Sequence, residues 1–219
     1  MTVAAVILVP DPAVAMADAD GVPAIRRVVQ AAWAGGALPI VVVSHPGDRG
    51  AAIAEELTGL PASFHAPEGI APGAQWFGCG MGEASTAVAE TTAALLWPCR
   101  CAWVDPETVT SLIEAHGASP EAIVRPAFGG RPGFPILVPA RHRERFDAET
   151  ELHGYQLVED LLAGGTPGRI LELGDPGIVI DIATPRADMP AYQGPPEPAG
   201  GPPPDWNEAL ASQAADRQP

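Results

Sequence analysis

Lysine is absent from this sequence. All twelve basic residues are arginine, and 27 carboxylates oppose them, for a formal net charge of −15 over 219 residues. So acidic a chain has no basic footprint for a nucleic-acid backbone or an anionic membrane, and neither is an expected partner. The same field opposes triphosphate binding unless arginines concentrate locally. Cysteine is scarce too. Cys79, Cys99 and Cys101 make no disulfide framework, so a reducing compartment is expected. Two readings stay open for them: buried apolar thiols, or a metal site with a histidine, although Cys-x-Cys is an unusual zinc spacing. No apolar run is long enough to cross a bilayer. Residues 3–9 followed by Ala15-Met16-Ala17 imitate a leader, but no positive charge precedes them and Pro10 and Pro12 interrupt them. They read as a first strand, and the protein as cytoplasmic. The histidines (His45, His65, His116, His142 and His153) show no paired spacing. No Ser/His/Asp or Cys/His set can be assembled, so no residue is assigned a catalytic role.

What is present is apolar content, 47% of the chain, enough for the core of one domain. Residues 94–108 organise it. Leu95, Leu96 and Trp97 suit a strand covered on both faces, and Asp105-Pro106 suits a helix start with an accepting cap and a residue lacking an N–H. Between them lies a turn at the carboxyl end of a strand, the edge where open α/β sheets bind ligands, and it presents Arg100 between Cys99 and Cys101.

The remaining pattern alternates strands and helices. A strand at 3–9 leads through an acidic loop (10–21) to a helix at 23–34, with Ile25, Val28, Val29, Ala32 and Trp33 on one face. A second buried strand at 39–44 makes a parallel crossover. A short helix (50–57) and a weak strand (62–65) precede a Gly/Pro-rich loop at 67–82 and a helix at 83–93. After the central stretch come a helix at 106–116, strands at 122–125 and 135–138, helices near 140–146 and 155–163, and strands at 169–173 and 178–182. Asp175-Pro176-Gly177 turns the chain between the last two. These elements predict an α/β, three-layer architecture with a doubly wound, mostly parallel sheet over residues 1–190. Residues 191–219 are rich in Pro, Gly, Ala and acidic residues and are expected to form a disordered tail, with a short helix near 206–211.

Several stretches, in order, resemble the MobA/MocA-like nucleotidyltransferases, whose fold is that of the nucleotide-diphospho-sugar transferases. Ala4-Ala5-Val6-Ile7-Leu8 resembles their A-x-I-L-A-A-G strand, and Asp20-Gly21-Val22-Pro23 with Ile25-Arg26-Arg27-Val28 their "dGkPLLerv" helix start. Gly80-Met81-Gly82 is similar to a G-M-G before a nucleotide-contacting helix. Pro98-Cys99-Arg100 through Pro106-Glu107-Thr108 resembles P-C-D-M-P-x-V-x-P-E-T, residues 126–135 resemble "PxxxGrrGHPv", and Asp181-Ile182-Ala183-Thr184-Pro185 resembles "DIDTP". The resemblance implies transfer of a nucleoside monophosphate from an NTP onto a small substrate, in some members molybdopterin. It also implies Mg²⁺ held partly by Asp181, and nucleotide contacts from Gly80, Met81 and Gly82.

The departures fall on the chemistry. The family's first loop is long, glycine-rich and cationic, so that its N–H groups and charges cradle the triphosphate. Here it is Val9-Pro10-Asp11-Pro12. The magnesium-binding aspartate of P-C-D-M-P is replaced by Arg100, and the histidine of "GHP" by Phe134. Asp181 alone keeps a metal-ligand identity; its other reading is a strand-end cap. Arg100 either grips an anion in place of the metal or pairs with Asp181 or a loop aspartate. Two functions follow: a nucleotidyltransferase with weak turnover, or a non-catalytic homologue that binds a small-molecule or nucleotide ligand or a protein partner, such as a molybdenum-cofactor enzyme in maturation.

Overall fold

The computed structural model describes residues 2–194. Strand β1 (Thr2–Val9) leads through a one-turn helix α1 (Pro12–Ala15) to α2 (Ala24–Ala34), β2 (Ile40–Ser44), α3 (Asp48–Glu56) and β3 (Ala62–His65). Helix α4 (Ala74–Ala87) precedes the central β4 (Thr91–Pro98) and α5 (Pro106–Ala118). There follow β5 (Ile123–Phe128), β6 (Arg131–Pro132), β7 (Ile136–Pro139), α6 (Arg143–Ala148), α7 (Gly154–Ala163) and β8 (Gly168–Glu172). The sheet order is β3-β2-β1-β4-β7-β5-β6, with β8 on β5. Pairs β1–β2, β1–β4, β2–β3 and β5–β8 are parallel, whereas β7 runs antiparallel to β4 and β5. The doubly wound, mostly parallel sheet is as the sequence predicts.

Its three layers follow from the period-two geometry of strands. Val3, Ala5, Ile7 and Val9 of β1, with Leu95 and Trp97 of β4, enter a core closed by α2 and α5. Ala4 and Val6, with Ala94 and Leu96, enter a second core closed by α4 and α7. Both faces of β1 and β4 are therefore apolar, which explains their unbroken hydrophobic runs.

Several boundaries differ from the expectation. Residues 67–82 are not all loop: α4 begins at Ala74, and the helix expected at 83–93 ends at Ala87 because β4 starts at Thr91. Three glycines give α4 poor propensity, but tertiary packing outweighs it. A Cβ on Gly80 would stand 2.3 Å from Cγ1 of Val6, so only glycine lets the helix lie this close to β1. The strand expected at 178–182 is instead a single 3₁₀ turn, Pro176–Ile178, followed by irregular chain. Trp33, placed on the buried face of α2 by periodicity, is 50% exposed. Backbone pairing continues to Gln193, whose N–H donates to the Gly174 carbonyl at 2.7 Å. The helix expected near 206–211 lies outside the described residues.

The start of α5 is fixed twice. Asp105 Oδ1 accepts the Glu107 N–H at 2.9 Å, with Pro106 in the first turn, as expected of a cap. Buried Asp175 accepts the Asp105 N–H at 2.9 Å, the Thr108 hydroxyl at 2.8 Å and the Gly177 N–H at 2.7 Å. Burial pushes its pKa up, against the pull of these donors. Removing it would leave several donors without their acceptor. Asp175→Ala should therefore cost about 3 kcal/mol in urea unfolding, against about 1 kcal/mol for Asp105→Ala. The reverse order would mean that the Asp105 cap, not the buried carboxylate, holds the helix start.

His116 is fully buried on α5, 3.1 Å from the Thr92 hydroxyl through Nε2, and burial pushes its pKa down. The unfolded chain then binds the proton more readily than the folded one, so this contribution is complete above the unfolded pKa and is lost as pH falls. Stability should decline below about pH 6.5, and less steeply in His116→Leu, as followed by thermal melts across pH.

Candidate ligand-binding cleft

The carboxyl ends of β1 and β4 lie side by side, with Leu8 opposite Pro98. The loop after β1 offers little to an anion. Pro10 and Pro12 carry no N–H, and Asp11 Oδ1 accepts the Ala13 N–H at 3.0 Å, so α1 is capped by a carboxylate of its own chain. The loop is tied to β2 through His45 Nε2, 3.0 Å from the Pro10 carbonyl, and the His45 ring meets Trp76 edge-on with centroids 4.9 Å apart.

After β4 the chain turns tightly. The Cys99 N–H donates to Leu8 and the Cys101 N–H to Pro98, while the buried Trp97 indole donates to the Cys101 carbonyl at 3.0 Å. These bonds turn Cys99 and Cys101 inward and leave Arg100 half-exposed at the tip. Its Nε lies 3.4 Å from Asp181 Oδ2, and its guanidinium carbon lies 5.3 Å from the Phe134 ring centre. The Arg100 carbonyl accepts the Ile182 N–H at 2.8 Å, which holds the Asp181 segment beside the turn. The ion pair anticipated as one alternative for Arg100 thus forms. With both side chains nearly half-exposed, solvent screening limits it to about 0–1 kcal/mol.

Arg100 borders three depressions. The largest, about 270 Å³, is lined by Leu8, Leu96 and Trp76 from β1, β4 and α4, and by Phe134 and Tyr155 opposite. A second, about 230 Å³, lies toward Val14 and Asp11, and a third, about 170 Å³, toward Gly133 and Asp181. Phe134 and Tyr155 form an aromatic wall with centroids 5.9 Å apart. Behind it, Arg125 lies 5.6 Å from the Tyr155 ring centre and pairs with Glu159 at 2.8 Å. The neighbouring Glu159, followed by burial, pushes the Tyr155 pKa up, so its hydroxyl stays protonated near neutrality.

The structure brings Arg100 and Asp181 together but does not bring Gly80, Met81 and Gly82 to them. Gly80 and Met81 are buried inside α4 under β1, and a Cβ on Gly82 would meet the Arg143 guanidinium. The expected G-M-G loop is a segment of α4, in which Gly80 packs against Val6 of β1. Asp181 follows irregular chain rather than a strand, and its Oδ1 accepts the Ala183 N–H at 3.0 Å. Among the described residues no group of three or more His, Cys, Asp or Glu side chains converges as a metal site. Cys99 and Cys101 are buried in the α2/α5 layer, which pushes their thiols up to about 12 and about 11, while Cys79 belongs to α4 on the opposite face. The reading as buried apolar thiols therefore holds for Cys99 and Cys101, Cys79 is only partly buried, and the three do not share a site. Sequence reasoning missed Trp76, Tyr155 and His45. The signal for Trp76 was the apolar spacing of Trp76, Phe77, Gly80 and Met81; nothing local marks Tyr155.

The sequence model of the family described as "MobA-like NTP transferase domain" matches residues 15–166. No curated protein matches significantly. Among solved structures, the chain is similar to Rv0371c of Mycobacterium tuberculosis in complex with manganese, at 14% identity and TM-score 0.63 over 79% of this chain and 89% of that one. It is similar to a nucleotidyl transferase from Methanothermobacter at 18% identity and TM-score 0.64, over 78% and 87%. A third, 4-diphosphocytidyl-2C-methyl-D-erythritol synthase, shows 18% identity and TM-score 0.63 over 84% and 94%.

The packing role of Gly80 is testable. Gly80→Ala should lower stability by about 1–3 kcal/mol through overpacking against Val6. Gly82→Ala, which meets only the end of a flexible arginine, should cost much less in the same urea titrations. Equal and small effects would return residues 80–82 to consideration as a ligand-contacting segment.

Proposed function

Because the chain belongs to the MobA-like NTP transferase domain family, we propose that it is a diverged member whose cleft takes a small ligand without magnesium-dependent nucleotidyl transfer. The observation that carries this reading is the Arg100–Asp181 pair. The family resemblance puts a magnesium-binding carboxylate at position 100, opposite the carboxylate at 181; here a guanidinium stands there. Two like unit charges at about 4 Å repel by about 4 kcal/mol at an effective dielectric of 20, and a dication roughly doubles that. The residues present do not fit a divalent ion, which asks for several oxygen ligands.

The first loop supports the same conclusion independently. A triphosphate needs N–H groups and cations to replace its hydration. Pro10 and Pro12 remove donors, and Asp11 occupies the α1 start with negative charge. Both halves of the phosphate machinery have therefore changed together, while the sheet that would display them is intact.

Calorimetric titration of CTP, GTP and ATP should show no gain in affinity on adding Mg²⁺ or Mn²⁺, and pyrophosphate release with molybdopterin as acceptor should be undetectable. Metal-dependent pyrophosphate release would restore the enzyme reading. Arg100→Asp should gain affinity for Mn²⁺, because two carboxylates would then face one another, but should not gain turnover, because the cationic first loop would still be missing.

A further inference from the structure

The walls of the 270 Å³ cleft specify a chemistry different from that of a nucleotide. Its size sits at the lower edge of the roughly 300–1,000 Å³ of small-molecule sites, which suits one or two fused rings rather than a nucleoside triphosphate and its acceptor. Leu8 and Leu96 form an aliphatic side, and Phe134 and Tyr155 an aromatic one. Arg100 stands at the rim, stacked over Phe134 and held through Nε by Asp181. Among the described residues, that Nε contact is the only ion pair of Arg100.

A guanidinium in this setting has charge and geometry for one carboxylate, whose two oxygens it can meet side by side. A phosphate dianion or a polyphosphate would ask for further donors. Pro10, Pro72 and Pro98, all on the cleft lining, supply no N–H, and Arg100 is the lining's one arginine, with His153 and Tyr155 as its other polar side chains besides the Trp76 indole. The net charge of −15 also opposes polyanions more than a monoanion. The geometry points to a small aromatic carboxylate as the ligand, its ring against Phe134 and Tyr155 and its carboxylate on Arg100. This assignment rests on the reading that triphosphate chemistry has been lost. Asp181 is then an internal competitor: it orients the guanidinium over Phe134 but shares its charge with the incoming carboxylate.

The test uses 2-naphthoate, 2-naphthamide and decahydro-2-naphthoate in calorimetric titrations against the full chain. The naphthoate should bind saturably, with the amide at least about tenfold weaker for want of the charge-assisted bond. The saturated analogue, which lacks the π-face, should be severalfold weaker. Arg100→Gln should abolish the acid–amide difference, whereas Asp181→Asn should tighten the naphthoate severalfold; thermal melts check that both variants are folded. Absence of saturation at millimolar naphthoate, or an amide or saturated analogue as tight as the acid, overturns the assignment. The source of a failure is separable. No naphthoate binding without pyrophosphate release overturns the ligand class alone, whereas metal-dependent pyrophosphate release overturns the reading beneath it.

Discussion

Burial of β1 and β4 on both faces is the constraint from which the rest follows. Their alternate side chains feed two separate cores, so neither strand can shift by one residue without exchanging all its contacts. The parallel register that pairs Val6 with Leu96 and Leu8 with Pro98 is thereby fixed. Two strands ending at the same level leave their connections to emerge side by side, and the cleft is the space between those connections. Gly80 belongs to this constraint, since the absence of its side chain brings α4 close enough to close the second core.

At the mouth of the cleft, the turn after β4 displays one side chain and buries its neighbours. Trp97 and the backbone bonds of Cys99 and Cys101 leave Arg100 as the side chain displayed at the cleft. A guanidinium here changes what the scaffold can do. It pairs with Asp181, and the carboxylate to which the family resemblance gives a metal orients a cation here. The Asp11 cap on α1 acts in the same direction, since the donors at a helix start are committed internally. The pair adds little to stability because both partners remain wet.

Much of this was legible from residue order. The buried strands, the α5 start at Asp105-Pro106, the substitution of Arg100 for a carboxylate and the poverty of the first loop are all local features, and each has a local physical cause. Errors arose where tertiary contact overrides local preference. Residues 74–82 look like a loop because glycine is a poor helix former, yet close packing under β1 rewards its lack of a side chain. Residues 178–182 look like a strand because they are apolar, but the Asp175–Gly177 hydrogen bond turns the chain and sheet partners are missing.

By itself the sequence determined the layer architecture, because a period of two or of 3.6 is written in consecutive residues. It also determined which charges occupy the positions that the family resemblance gives to metal and phosphate, because those are identities rather than arrangements. Only the tertiary structure decided who meets whom: that Asp181 takes Arg100, that Gly80 lies against Val6 of β1, and that Tyr155 joins Phe134 in one aromatic wall. Such contacts join residues far apart in the chain, and their geometry follows from how the helices settle on the sheet, which no local pattern encodes.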